Sequence, residues 1–88
     1  MTETAVRADL RRFILESFLP GEDPATLSDS TPLVTSGILT SLCLVELTTF
    51  IEESFSVELR PADIGVEQMD TIDLMTDLVR RRGGLRES

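Results

Sequence analysis

SGILTSLCLVELTTFIEESF, residues 36–55, decides how this chain folds. Leu44, Leu47, Thr48, Ile51 and Phe55 recur at steps of three and four, the spacing of one helical face, and predict a helix over 41–56. A weaker stripe of Leu42, Val45 and Thr49 runs beside it, flanked by Glu46, Glu52 and Glu53. A helix that only plugs a core needs one stripe. The second is either a wider buried face or a surface for a transient partner. A Ser-Gly turn leads in, and a hydroxyl, Ser41, stands at the helix mouth. It either caps the helix or marks a point where chemistry is attached, because helix N-termini suit both roles.

Outward from this helix, the rest of the chain also reads as helical. Val6, Leu10, Phe13, Ile14 and Phe18 share one face of a helix over 3–19, with Thr2 or Thr4 as its cap and Pro20-Gly21 as its end. Residues 20–40 carry three prolines, two glycines and several Ser, Thr and Asp, and form a long loop. Its apolar residues Leu27, Leu33, Val34, Ile38 and Leu39 predict that it packs on the helices. A structured loop of this length tends to be functional. Residues 57–59 connect onward. Arg60 to Ile64 suggests one helical turn with Pro61 first and Gly65 closing it. The last helix is expected over about 71–82, capped by Asp70 or Thr71, with Ile72, Met75, Leu78 and Val79 inward. Arg80, Arg81 and Arg82 suit the negative end of its dipole better than they suit a binding patch, and Gly83-Gly84 stops it. Residues 84–88 read as frayed. The expectation is an all-α bundle in a single domain over 1–88, with three main helices, one short third helix and a long first loop.

Charge narrows the partners. The net charge is −8 over 88 residues, and the isoelectric point is about 4.3. Every cation is an arginine, and seven of the eight lie near the chain ends. Between Phe13 and Val79 there are thirteen acidic residues and only Arg60. Such a surface repels phosphate backbones, so no nucleic-acid partner is expected. It favours proteins with basic patches, steered by long-range charge. No apolar stretch approaches a membrane span, and the first residues show no apolar core of a secretory signal; the expected location is cytoplasmic, without a membrane partner.

Missing residues narrow the chemistry. There is no His, Lys, Tyr or Trp. A Ser/His/Asp or Cys/His arrangement cannot be built, and paired carboxylates have little room for a pocket in so small a chain. The protein is expected not to be an enzyme. The lone Cys43 excludes an internal disulfide and supplies no metal site by itself; it reads as a small apolar filler. No metal is expected.

Gly37-Ile38-Leu39-Thr40-Ser41-Leu42, Val45-Glu46-Leu47 and Phe50-Ile51-Glu52-Glu53-Ser54-Phe55 resemble the phosphopantetheine attachment region of acyl and peptidyl carrier proteins. The likeness extends over nearly the whole chain, through the first helix, Thr31-Pro32-Leu33 in the loop, and Met69-Asp70-Thr71-Ile72 opening the last helix. It implies a four-helix carrier-protein bundle that acts as a discrete, monomeric carrier. Ser41 would receive 4′-phosphopantetheine from coenzyme A through a phosphopantetheinyl transferase. The arm's thiol would hold an acyl or aminoacyl group as a thioester for a loading enzyme and a downstream acyltransferase or synthase, in polyketide or nonribosomal-peptide metabolism. The partner-facing residues would be Thr40, Leu42, Val45, Glu46, Thr49 and Glu53. The chain departs from the family at Thr40, where the usual motif has aspartate, and at Cys43, a position often acidic in fatty-acid members. Both changes remove negative charge from the helix mouth and put recognition by a general transferase in question. The alternative is an unmodified helical adaptor that keeps a carrier fold and binds partner enzymes without cargo.

Overall fold

Three threonines start the three longer helices. In the computed structural model, which describes residues 2–21 and 27–83, Thr2 caps α1 (Glu3–Phe18), Thr40 caps α2 (Ser41–Phe55) and Thr71 caps α4 (Ile72–Arg81). Each has extended backbone, and each hydroxyl accepts a backbone N–H of the first turn: Ala5 at 3.2 Å, Cys43 at 3.4 Å and Leu74 at 3.1 Å. These bonds satisfy donors that the helix itself leaves without acceptors. Regular structure among the described residues is entirely helical: these three helices, a 3-10 turn over Pro61–Asp63, and the single-turn α3 (Val66–Met69). The expected fraying of 84–88 lies outside the described residues.

The region between α2 and α4 departs from the sequence reading. One helical turn was expected over 60–64, with Gly65 as its stop. The 3-10 turn ends at Asp63, Ile64 is extended, and Gly65 begins α3 as its N-cap. The Gly65 carbonyl accepts from Gln68 and Met69, and Met69 is fully buried. A four-residue helix is too short to show periodicity, so the sequence carried no signal for it. α2 also ends one residue earlier than expected, because Ser56 takes the left-handed conformation (φ 55°) and cannot extend the hydrogen-bond ladder.

One continuous apolar cluster joins the elements. α1 packs against both α2 and α4, and α3 packs against α4. Val6, Leu10 and Ile14 belong to one buried cluster with Leu47 and Ile51 of α2 and Ile72, Met75, Leu78 and Val79 of α4. Leu15 is buried as well, although it lies beside the stripe read from sequence, because α1 has a neighbour on each side. Phe13 stacks on Phe50 with ring centroids 4.1 Å apart, and both are only half-buried. Each fully buried aliphatic side chain of the cluster supplies roughly 1.5–3 kcal/mol, which is what holds a small domain together.

Ion pairs close the seams. Arg7 pairs with Glu3, Asp29 and Asp73, and Arg11 pairs with Asp29 and donates to the Leu27 carbonyl. This network ties α1, the long loop and α4. Arg82 makes two bonds to the buried Asp63, at 2.6 and 2.9 Å, fixing the end of α4 on the 3-10 turn. Arg80 and Arg81 pair with Asp77, and Arg81 also reaches Gln68. The arginine run therefore serves the fold at the α4 C-terminus, as its dipole role suggested.

Thr76 is fully buried in α4, and its hydroxyl has no hydrogen-bond partner among the described residues. An orphaned buried hydroxyl costs about 1–3 kcal/mol. Thr76→Val should raise stability by about 1 kcal/mol in urea unfolding, whereas Ile51→Ala should lose about 2–5 kcal/mol. A destabilised Thr76→Val would mean that the hydroxyl makes a bond this structure does not contain.

Candidate functional site around Ser41

The long loop delivers Ser41, and one carboxylate organises its delivery. Asp70, at the α3–α4 junction, accepts the Val34 and Thr35 amides at 2.9 Å each and the Leu33 amide at 3.2 Å on Oδ1. Its Oδ2 accepts the Thr35 hydroxyl at 2.8 Å. The Leu33 amide also donates to the Asp70 carbonyl at 2.7 Å, and Leu33 itself is fully buried. The chain then turns: Gly37 N–H donates to the Val34 carbonyl at 3.0 Å, with Gly37 at φ 85°, a conformation glycine adopts without strain. Leu39 returns to bond the Leu33 carbonyl at 2.9 Å and buries its side chain, which sets Thr40 at the helix mouth. As the sequence predicted, this loop packs on the helices, with Leu27, Leu33 and Leu39 buried and Val34 and Ile38 half-buried.

Thr40 answers the question of the cap. Its hydroxyl accepts the Cys43 amide and its carbonyl accepts the Leu44 amide. Ser41 is instead the first residue inside α2; it is exposed, and its hydroxyl makes no hydrogen bond among the described residues. The Ser41 and Leu42 amides likewise meet no acceptor there. No acidic residue stands in the first turn of α2, so the positive end of its dipole is left uncompensated. Cys43 is half-buried and packs against the core, in keeping with a filler role, while its sulfur accepts the Thr40 hydroxyl at 3.4 Å.

The stripe read from sequence lies on the surface. Leu42 is 71% exposed and Val45 60%, which decides between a wide buried face and an open one in favour of the open one. Glu46, Thr49 and Glu53 are exposed with them. At positions 42, 45, 46, 49 and 53 they follow one face of α2, with Ser41 at its head. Thr49 turns its hydroxyl to the Val45 carbonyl at 3.2 Å, so it presents mainly its methyl group. Glu46 and Glu53 make no ion pair among the described residues. Glu52 is different: it accepts the Leu59 amide at 3.0 Å and holds the connector. Two exposed apolar residues escaped the sequence reading, Ile64 and Val66, because nothing in a non-periodic segment distinguishes an outward side chain from an inward one. An open hollow of about 620 Å³ lies along α1, lined by Ala8, Arg11, Leu15, Glu16 and Leu19 among others, and includes no residue of the α2 stripe.

Compared with known proteins, the chain matches no family model and no curated protein significantly.

Two carboxylates of the frame are held in their charged form. The Thr35 amide and hydroxyl, with the Val34 and Leu33 amides, pull Asp70 below the usual carboxylate range, and the Arg82 guanidinium with the Arg60 amide does the same for Asp63. A depressed folded-state pKa stabilises the fold above the unfolded value, near about 4, and that contribution is lost as pH falls through the folded value. The melting temperature should therefore be flat between about pH 5 and 7 and fall below about pH 4. Carboxyl NMR titrations should place both aspartates below the usual carboxylate range; ordinary titration of Asp70 would contradict the bonding described here.

Proposed function

We propose that the protein is a carrier whose Ser41 takes a 4′-phosphopantetheine arm and which presents thioester-bound acyl or aminoacyl groups to partner enzymes. The observation that carries this reading is the division of labour at the α2 mouth. Thr40 does the capping, and Ser41, one residue on, keeps an exposed hydroxyl with no hydrogen-bond partner among the described residues. A serine needed only for the helix would be in the capping position. The order of elements and the residues resembling the carrier attachment region support the same reading.

The chemistry asks little of the chain itself. In the transfer, Ser41 Oγ forms a bond to the phosphorus that carries the pantetheine. The pyrophosphate P–O bond of coenzyme A breaks, adenosine 3′,5′-bisphosphate leaves, and the hydroxyl proton passes to a base of the transferase. The resulting phosphodiester would sit at a helix N-terminus whose Ser41 and Leu42 amides have no acceptor among the described residues and whose first turn holds no carboxylate, which is electrostatically favourable. The cofactor then supplies the reactive thiol, so a protein without His or Lys can take part in acyl transfer. Polyketide or nonribosomal-peptide assembly is the setting proposed from the resemblance.

Partners would dock on the face that begins at Ser41. Leu42, Val45 and the Thr49 methyl offer apolar area, while Glu46 and Glu53 offer charge to basic patches on the transferase, the loading enzyme and the downstream acyltransferase or synthase. The same exposed face would equally serve an unmodified adaptor, and Thr40 in place of the family's aspartate is the feature that favours that second reading.

Intact-protein mass after incubation with coenzyme A and a broad-specificity phosphopantetheinyl transferase separates them. The wild type should gain one phosphopantetheinyl group and Ser41→Ala none. A wild type that stays unmodified, and remains so as Thr40→Asp, would leave the adaptor reading. Docking has its own check. Glu46→Lys with Glu53→Lys should slow association with a transferase by about tenfold at low salt and flatten its salt dependence. Rates that do not change with either the substitution or the salt would rule out this face.

A further inference from the structure

We propose that Asp70 is a positioning residue for Ser41: its carboxylate fixes the loop that sets the attitude of the α2 mouth, and so governs how readily the hydroxyl is modified. This rests on the carrier reading for its reaction, and on geometry alone for its first half. Asp70 lies 29 positions beyond Ser41 in sequence, yet it gathers three consecutive amides and one hydroxyl of Leu33–Thr35. From Thr35 only five residues lead to Ser41. That short run is pinned at both ends, by Asp70 at one and by the Leu39–Leu33 bond and the buried Leu39 side chain at the other. Behind the α2 mouth the helix is held by the Leu44 amide on the Thr40 carbonyl and by the packing of Cys43 and Leu44 on the core, but the outermost residues are held lightly. Their cap bond is long at 3.4 Å, Thr40, Ser41 and Leu42 are all exposed, and no ion pair among the described residues reaches the first turn of α2. The position of the reacting hydroxyl is therefore set from two sides, by the body of α2 and by the loop that Asp70 holds.

Charge makes the arrangement specific to aspartate. An ionised carboxylate has acceptor sites for all four donors, and each bond to it is charge-assisted. An asparagine would keep an acceptor for the three amides, but its NH2 would face the Thr35 hydroxyl in place of Oδ2. Alanine would leave the Val34 and Thr35 amides without their acceptor, next to the fully buried Leu33, whose own amide keeps the backbone carbonyl of residue 70. Asp70 touches neither the transferase nor coenzyme A in this scheme. Its effect should therefore fall on the rate of the chemical step and not on substrate affinity.

Site-resolved amide exchange and transfer kinetics, with coenzyme A and a broad-specificity transferase as the probe, test both halves. Asp70→Ala should keep its helical circular dichroism, while exchange at Val34, Thr35 and Leu39 rises by about tenfold or more relative to amides of α1 and α4. Its kcat for modification of Ser41 should fall on the order of tenfold to 100-fold, with KM changed by less than about twofold. Asp70→Asn and Thr35→Val should each show part of both effects, and they carry the test if the alanine variant does not fold. Unchanged exchange over 33–39 overturns the proposal. So does loosened exchange with an unchanged kcat, or wild-type behaviour of both milder variants. A wild type that no transferase modifies overturns the carrier reading. In that case exchange at Cys43 and Leu44 in Asp70→Ala still decides the positioning claim, supporting it if raised and overturning it if unchanged.

Discussion

The carboxylate of Asp70 closes the long connection between α1 and α2, and the rest of the structure depends on that closure. The described part of this loop has lost conformational freedom by taking one conformation, and that loss must be offset by contacts it makes itself. Leu27, Leu33 and Leu39 supply apolar burial, but burying them brings backbone N–H groups along. Without acceptors those donors would cancel much of the gain. Asp70 resolves the conflict at the point where Leu33 enters the core, and it does so from the junction that also begins α4. The loop is thereby registered against α3 and α4, while its other end delivers α2.

Charge is divided in a way that follows from the same frame. Arg7, Arg11 and Arg82 are used as ties between elements, each on a carboxylate of another segment. Exposed pairs of this kind add little stability individually, but a shared network of two arginines and three carboxylates fixes the relative placement of α1, the loop and α4. α2 contains three glutamates and no cation. Its outer carboxylates, Glu46 and Glu53, are therefore left exposed, and they stand beside the open apolar stripe. On the carrier reading, an acidic rim around Leu42 and Val45 would steer basic surfaces toward an apolar contact and would repel a second copy of the chain.

What was legible in the sequence is what periodicity and local capping encode. The α1, α2 and α4 cores followed from steps of three and four, and Thr2 and Thr71 were among the caps expected. Legibility stopped where partners are distant or segments short. α3 has too few residues to repeat, and Leu15 is buried only because α1 is flanked on two sides. Asp70 looked like a local cap for the last helix, whereas its bonds run to residues 35 to 37 positions earlier. The outward direction of Leu42 and Val45 was undecided by spacing, since a wide stripe looks the same whether a neighbour covers it or not. Tertiary packing settled each of these.

Thr40 illustrates how one position serves two demands that conflict. The aspartate of the carrier motif would cap α2 with a charge and gain from the dipole. It would also set a second negative charge next to any phosphodiester on Ser41, at the helix end that must stabilise that anion. A threonine caps through a neutral oxygen and leaves the dipole free for the neighbouring residue. Stability of the mouth is then weaker, and more of its order must come from the loop behind it. On this argument the neutral cap and the Asp70 latch belong together: the less the first turn of α2 holds itself, the more the placement of Ser41 relies on the carboxylate that holds the loop.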